Sequence, residues 1–363
     1  MKFNQRHLLS FDWLWLLAVL ALVGTGILTI WSTTEGTNLN SYFGRQVLYA
    51  SLGILAFLIL LCFDYHLYSD FIALIYACGL AVLVGVLVFG KTIHNNKSWI
   101  SIGSYTFQPS ELVKVAVIIA LAKYYSDSER EHLELNELLI GGLIVFVPML
   151  LVVLQGDLGT GVTFIPIYAT LSFVAGIKRR HLLLLLLAAC LAAPTGWFLL
   201  KAHQKGRIET IFNPTQDARR LGYQTIQSEI AIGSGKFLGK GFKQGSQGQL
   251  GFLPARHTDF VFAVWSEERG FLGSMALILL FLFVCLRLAR TAREAKDRVG
   301  MFFVIGVLSL FMFHITINMG MVVGLLPIIG IPLPLVSAGG SSLIAFLAAL
   351  SICMNIRMRR YVN

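Results

Sequence analysis

Charge is scarce in this 363-residue chain: only 13% of its residues are Asp, Glu, Lys or Arg, against 56% that are hydrophobic. A soluble globule could not cover its surface from such a stock, so the chain reads as a polytopic membrane protein. Cysteine is also scarce, and its five copies, Cys62, Cys78, Cys190, Cys285 and Cys353, form no C-x-x-C pair. That excludes a disulfide framework and a cysteine metal site, and leaves small hydrophobes inside apolar segments. Acidic residues are outnumbered 19 to 29 by basic ones, a net charge of +10. The basic residues fall mainly in loops, where membrane orientation accounts for many of them, so nucleic acid is not implied. No Walker A loop is found either: within the glycine-rich run 233–251, Lys236, Lys240 and Lys243 are not followed by Ser or Thr at the required spacing.

What the chain has in abundance is apolar runs of spanning length, about 20 residues for about 30 Å of hydrocarbon. About ten spans are predicted, at roughly 12–32, 46–64, 69–89, 108–125, 137–155, 160–177, 181–200, 262–286, 301–325 and 338–356. The first follows Lys2 and Arg6 and has full spanning length, so it reads as a retained helix rather than a signal peptide. The fold class expected is all-α polytopic, one integral-membrane domain over 1–363, with a large extracytoplasmic loop at 201–261 between the seventh and eighth helices. In this scheme Lys178-Arg179-Arg180, the basic residues Arg287 to Arg298, and Arg357, Arg359 and Arg360 share one side with the N-terminus. By the positive-inside rule that side is cytoplasmic, both termini with it.

Against this background the stretch Leu253 to Arg269 stands out, gathering Arg256, His257, Asp259, Glu267, Glu268 and Arg269 around an apolar core. Asp259 falls where a polar loop becomes a membrane helix, which makes it a functional-site candidate; an interfacial charge cluster anchoring a helix end is the alternative. Glu111 and Lys114, three apart behind Pro109, form either a local ion pair at a helix mouth or a polar wall facing a cavity. Asp157, between glycines in a short outer turn, suits a helix cap as well as a site. Arg45 suits an interfacial anchor equally, and Trp99 an aromatic belt. Tyr223, Ile226 and Ile230 recur at helical spacing and predict a short amphipathic helix on the membrane surface. The glycine-rich run that follows reads as a flexible hairpin with solvated lysines, or as a cradle for a diphosphate or anionic sugar. Three prolines and several glycines between Gly324 and Ser342 predict non-helical backbone lining a wet cavity. One outward-facing polar cavity accounts for Arg45, Glu111, Lys114, Asp157, the basic glycine loop, Asp259 and the Ser337–Ser342 turn together.

These motifs resemble the SEDS family (shape, elongation, division and sporulation), the membrane peptidoglycan glycosyltransferases. The resemblance rests on Gln108-Pro-Ser-Glu111 with Lys114, Gly156-Asp-Leu-Gly-Thr160, Asn213-Pro214, Gly239-Lys-Gly241, and Leu253-Pro with His257-Thr-Asp-Phe260 and Glu267-Glu268. It continues through Asn318, Gly320-Met321 and Gly324-Leu-Leu-Pro to Pro334-Leu-Val-Ser337 and Gly339-Gly-Ser-Ser342, in the family's order over most of the chain. Pro254-Ala-Arg-His-Thr-Asp259 and Gly330-Ile-Pro-Leu-Pro334 are closer to the elongation members than to the division members. Ala338, where an aromatic is usual, and Ser98, where a basic residue is usual, depart from the pattern.

The resemblance implies polymerisation of lipid II, the undecaprenyl-diphosphate-linked disaccharide-pentapeptide, into glycan strands during cell elongation, with Asp259 as the catalytic carboxylate. It also implies a bacterial inner-membrane location with the site facing outside, a class B penicillin-binding protein as partner, and other elongation-complex membrane proteins. The substrate-binding candidates are Arg45, Glu111, Lys114, Asp157, Arg207, Lys240, Arg256, His257, Thr258, Glu267, Ser337, Ser341 and Ser342. No protein ligand set for a metal is visible, although a divalent cation, Mg2+ or Mn2+, would suit a leaving diphosphate. Two other readings remain: a lipid II flippase or transporter, which polar residues near helix breaks also describe, and a noncatalytic cell-wall scaffold.

Overall fold

The computed structural model describes residues 11–34, 40–93, 96–103, 105–128, 130, 132–199, 205–206 and 221–360. Arg207 and Asn213-Pro214 lie outside the described residues. Each predicted span coincides with helix. In order these are α1 (Trp13–Thr34), α2 (Asn40–Cys62), the short α3 (Tyr65–Asp70), α4 (Ile72–Phe89), α5 (Pro109–Ser126) and α6 (Leu135–Leu154). There follow α7 (Leu158–Val162) with α8 (Phe164–Val174), α9 (Arg179–Leu199), α10 (Leu221–Ser234) and α11 (Ser246–Gln249). The chain closes with α12 (Val261–Arg293), α13 (Arg298–Val322) and α14 (Gly340–Arg359). Among the described residues, seven helices are long and apolar enough to cross a membrane: α1, most of α2, α4, α6, α12, α13 and α14. The other three predicted spans are helices of different make. α5 carries Glu111, Lys114 and Lys123, the sixth predicted span is broken in two at Thr163, and α9 follows Arg179-Arg-His181 with an uncharged apolar run over 182–199.

Local chemistry sets the helix ends. Pro109 occupies the first turn of α5, where its missing N–H is no loss, and Glu111 sits beside the positive end of the helix. Asp297 caps α13 by accepting from Gly300 N at 2.7 Å. In α14 nearly every residue is buried, and it packs along α2, so it is the central helix of the bundle. Outward faces are apolar instead: Leu17, Leu55, Leu58, Leu74, Leu143, Leu150 and Leu282 are all exposed, as lipid contact requires.

The end of the bundle away from Asp259 is held by ion pairs. Asp12 bridges Arg287 and Arg357, each at 3.1 Å, Arg359 meets Asp64 at 2.5 Å, and Arg360 pairs with Glu294. These are the arginines that the charge rule gathered on one side. α12 runs further than predicted, so Arg287, Arg290 and Arg293 lie on its last turns rather than in a loop.

Two features were not foreseen. A three-stranded antiparallel sheet, β1 (Lys91–Ile93), β2 (Asn96–Ile102) and β3 (Tyr105–Phe107), joins α4 to α5 in an otherwise helical protein. Its strands of three to seven residues carry little alternation, which hides them in the sequence. The second is the glycine-rich run, which is a built element rather than a free hairpin. It wraps a kink in α12 at Gly270, whose φ of 66° and ψ of −160° suit glycine alone. Phe271 N donates to Lys236 O at 2.8 Å, and Gly241 N to Glu268 O at 3.0 Å. A Cβ on Gly270 would stand 2.3 Å from Gly239 N, so the two backbones touch only because both residues are glycine.

Candidate functional site

The turn leading into α12 is built on one carbonyl. Ala255 O accepts from the N–H groups of Thr258 (3.0 Å), Asp259 (3.1 Å) and Phe260 (3.4 Å), and Ala255 itself has φ of 50°. An alanine held in the left-handed region costs energy that the surrounding contacts must offset. Here the anchors are Leu253 and Phe260, both buried, on either side of the turn.

The segment 331–338 closes against this turn. Ala338 N donates to His257 O at 2.8 Å, and Ser337 Oγ donates to Thr258 O at 2.6 Å while accepting from Leu333 N at 2.9 Å. Asn318, fully buried on α13, donates through Nδ2 to Asp259 O at 3.1 Å and to Ile331 O at 2.8 Å. The backbone of Asp259 is thus fixed from two sides, while its partly exposed carboxylate overlies Gly330, where an added Cβ would stand 3.7 Å from Oδ2. From α2, Tyr42 packs its ring 4.2 Å from that of His257, Arg45 lies 5.9 Å over Tyr42, and Gln46 donates to Ser337 O at 3.3 Å.

A second polar wall reaches the same segment from α5 and the turn after α6. Asp157 accepts from Thr160 N (3.0 Å), Thr160 Oγ1 (2.9 Å) and Gln108 Nε2 (2.5 Å), and Gln108 N donates to Ser341 Oγ at 2.8 Å. Burial holds the Asp157 carboxyl above the usual carboxylate range, with the Thr160 bonds opposing it and the Glu111 charge adding to it. One turn along α5, the buried Lys114 meets Glu111 at 2.9 Å and His314 Nε2 at 3.4 Å. His314 Nδ1 in turn donates to Pro332 O at 3.1 Å, which returns the network to the segment beside Asp259.

The structure therefore brings Glu111, Lys114, Asp157, His257, Thr258, Asp259, Ser337 and Ser341 around residues 329–341, with Arg45 behind Tyr42 and Ser342 buried in the first turn of α14. Burial and the neighbouring Arg256 charge lower the His257 pKa to about 4, so this ring is neutral near pH 7.

Three other candidates point elsewhere. Arg256 is buried and donates to the carbonyls of Gly248 and Gln249, and burial lowers its pKa. Glu267, fully buried, accepts from Lys240 Nζ (2.6 Å), Ser246 Oγ (3.2 Å), Gln247 N (3.0 Å) and Gly248 N (3.1 Å). Lys240 and Glu267 thus fasten the glycine-rich segment to α12. An isolated carboxylate at that depth would be very costly, so the lysine is committed to its partner. Arg207 lies outside the described residues.

Sequence reasoning missed His314 and Tyr42 as members of the network, and singled out Gln108 in a motif without naming it as a site residue. His314 carried a usable signal, an ionisable side chain inside an apolar span. Gln108 carried one as the first residue of the Gln108-Pro-Ser-Glu111 motif, and Tyr42 carried none.

A helical bundle with a lipid-facing apolar surface, a polar site at one end and ion pairs at the other defines a polytopic membrane protein with a chemically equipped site at one rim. A model of the FtsW/RodA/SpoVE family, described as cell cycle protein, matches residues 7–362, and the chain belongs to this family. It is 32% identical to the peptidoglycan glycosyltransferase RodA of Treponema pallidum (strain Nichols), covering 98% of this chain and 99% of that protein. It is 34% identical to the peptidoglycan glycosyltransferase MrdB of Escherichia coli (strain K12), covering 95% and 93%. Among solved structures it is similar to a chain of a peptidoglycan synthase complex described for its coordination of polymerization and crosslinking, with a TM-score of 0.83, 30% identity, and coverage of 97% and 99%. It is also similar to the rod shape determining protein RodA of Thermus thermophilus, with a TM-score of 0.73, 27% identity, and coverage of 97% and 98%.

Proposed function

We propose that this chain is a peptidoglycan glycosyltransferase that polymerises lipid II into glycan strands during cell elongation, with Asp259 as general base. The observation that carries the reading is the placement of Asp259. Its backbone is pinned by Asn318 and the 255–260 turn, and a wall containing Lys114 and Asp157 joins it through residues 331–341. Family membership and relatives named peptidoglycan glycosyltransferase support the same conclusion.

The step follows from the groups present. The acceptor sugar's 4-hydroxyl gives its proton to Asp259 as its oxygen attacks the donor's anomeric carbon; the bond from that carbon to the diphosphate breaks, and the diphosphate leaves with the electron pair. A single displacement inverts the configuration. Arg45 supplies positive charge for the leaving group, and the buried Lys114–Glu111 pair holds the polar wall behind it. Arg256 and Lys240 keep the neighbouring backbone in place. The divalent cation expected from diphosphate chemistry finds no group of three His, Cys, Asp or Glu side chains among the described residues, and no step here runs through it.

In the orientation we infer, the Asp259 end faces outside and both termini are cytoplasmic in the bacterial inner membrane, since Arg287, Arg357, Arg359 and Arg360 gather at the other end. The similar chain in a peptidoglycan synthase complex supports a class B penicillin-binding protein as partner; other elongation-complex membrane proteins are partners we infer from the family resemblance alone.

A lipid flippase is the second reading, favoured by the buried Lys114, Glu111 and His314. One experiment separates the two. Purified protein with a class B penicillin-binding protein is given labelled lipid II in detergent, where no bilayer exists to be crossed, and products are resolved by gel. A glycan ladder supports polymerisation. Its absence, together with transbilayer movement of lipid II in proteoliposomes, favours the flippase.

A further inference from the structure

At the end of the bundle opposite Asp259, the start of α6 and the start of α9 lie side by side. The loops before them are tied by Leu133 N donating to Gly176 O at 3.1 Å and by a bridge between Leu133 and Ile177. Between them is a cavity of about 430 Å³ lined by Glu134, Leu135, Asn136, Lys178, Arg180, His181 and Leu184. That volume is ample for a small headgroup.

Its chemistry is cationic. Lys178 stands at the N-cap position of α9, where its side chain offers no acceptor to the first-turn N–H groups, and the 21-residue helix adds the positive end of its dipole. Arg180 Nε donates to His181 Nε2 at 3.2 Å, which leaves His181 Nδ1 as an N–H donor. His181 is only 4% exposed and this nitrogen has no hydrogen-bond partner, a state that buried donors rarely keep. The one acidic member, Glu134, is engaged at 2.5 Å by Arg130. Around the cavity the surface turns apolar at once, with Leu135, Leu139, Leu183 and Leu184 all exposed. A cationic recess with a buried spare donor, opening beside lipid-facing leucines, is what a phosphate at the membrane face would need.

We propose that this cavity between α6 and α9 binds a phosphate group, with Lys178, Arg180 and His181 as its ligands, and that the leucine rim makes the phosphodiester of an anionic phospholipid in the nearer leaflet its source. The site is independent of the glycosyltransferase reading, since none of its residues belongs to the Asp259 network.

The test uses the full-length protein in detergent with an equimolar mixture of phosphatidylglycerol and phosphatidylcholine, and native mass spectrometry to count retained lipid. The wild type is expected to retain one phosphatidylglycerol in preference to phosphatidylcholine. K178Q/R180Q should bind it at least about tenfold more weakly, because two charge-assisted hydrogen bonds are lost. R179Q/R293Q makes the same charge change at exposed positions that do not line the cavity, and should leave retention unchanged. H181F tests the buried donor and should weaken binding as well; K178Q/R180Q, being peripheral, keeps the test valid if H181F unfolds. A parallel arm adds sodium phosphate without phospholipid. A rise in the unfolding midpoint that K178Q/R180Q abolishes, without lipid retention, supports the phosphate site and assigns it a soluble source. Equal loss of lipid in both double variants, or neither lipid preference nor a phosphate effect in the wild type, overturns the proposal.

Discussion

Asn318 offers the sharpest test of how the site is held. It donates to two backbone carbonyls, those of Asp259 at 3.1 Å and Ile331 at 2.8 Å, from a fully buried position. Asn318→Ala removes both bonds and strands the buried Ile331 carbonyl away from water, with the Asp259 carbonyl left partly so. Each net bond contributes about 0.5–1.5 kcal/mol and each stranded group costs about 1–3 kcal/mol, so after partial relaxation the loss should be roughly 2–4 kcal/mol. The same change frees the Asp259 backbone from the 331–338 segment, and a displacement of about 1 Å at a reacting group can cost on the order of a hundredfold in rate. The variant should therefore lower kcat for lipid II polymerisation by about 10- to 100-fold while leaving KM within a few-fold. Thermal unfolding in detergent measures the first effect and initial rates well below the melting point measure the second. Ser351→Ala is the reference, since Ser351 Oγ donates to Phe57 O at 2.5 Å in a fully buried position on α14 that touches no site residue. It should lose about 1 kcal/mol and no activity. If Asn318→Ala is destabilised but polymerises at the wild-type rate, Asn318 is structural and the pinning of Asp259 has no role in rate.

Three further outcomes follow from the same geometry. Gly270→Ala places a Cβ 2.3 Å from Gly239 N in a backbone region reserved for glycine; it should destabilise by more than about 3 kcal/mol and make the 233–251 segment the first site of proteolysis. Lys114→Met leaves Glu111 charged and buried, at a cost of about 3–5 kcal/mol, whereas Glu111→Leu with Lys114→Met should recover much of that stability in unfolding assays without recovering activity. His257 has a folded pKa of about 4 against an ordinary 6.5, so between those values the unfolded chain binds more protons and stability falls as pH falls. His257→Gln should flatten the unfolding midpoint across pH 4 to 6.5, and an unchanged slope would show that His257 is not the group responsible.

Much of this was legible because a membrane imposes strong rules. Twenty-residue apolar runs must be helices, and basic residues mark one side, so the spans and the gathering of Arg287, Arg357, Arg359 and Arg360 could be read directly. Charged residues at helix mouths, Glu111, Lys114, Asp157 and Asp259, were visible for the same reason: each is expensive at that depth. What could not be read were contacts set by tertiary approach. Nothing local in Lys240 says that its partner is Glu267, 27 positions on, and nothing in Arg256 says that it turns to Gly248 O. The glycines of 233–251 signal freedom in isolation, yet they serve close packing against α12. α10 makes the same point. Its helix was predicted from Tyr223, Ile226 and Ile230, but the fully buried positions are Ser228 and Ala231, small enough for the helix to lie close on α12 and α13, while Ile230 is exposed.

The most direct test of the central claim replaces Asp259 by Ala and compares glycan-strand formation from lipid II with the wild type, at matched folding and matched binding of the penicillin-binding protein. Loss of polymer with retained fold and partner binding is the expected result, since no other carboxylate in the site has its placement at the 255–260 turn. Polymerisation at the wild-type rate would contradict the account and move the search for the base to Glu111 or Asp157.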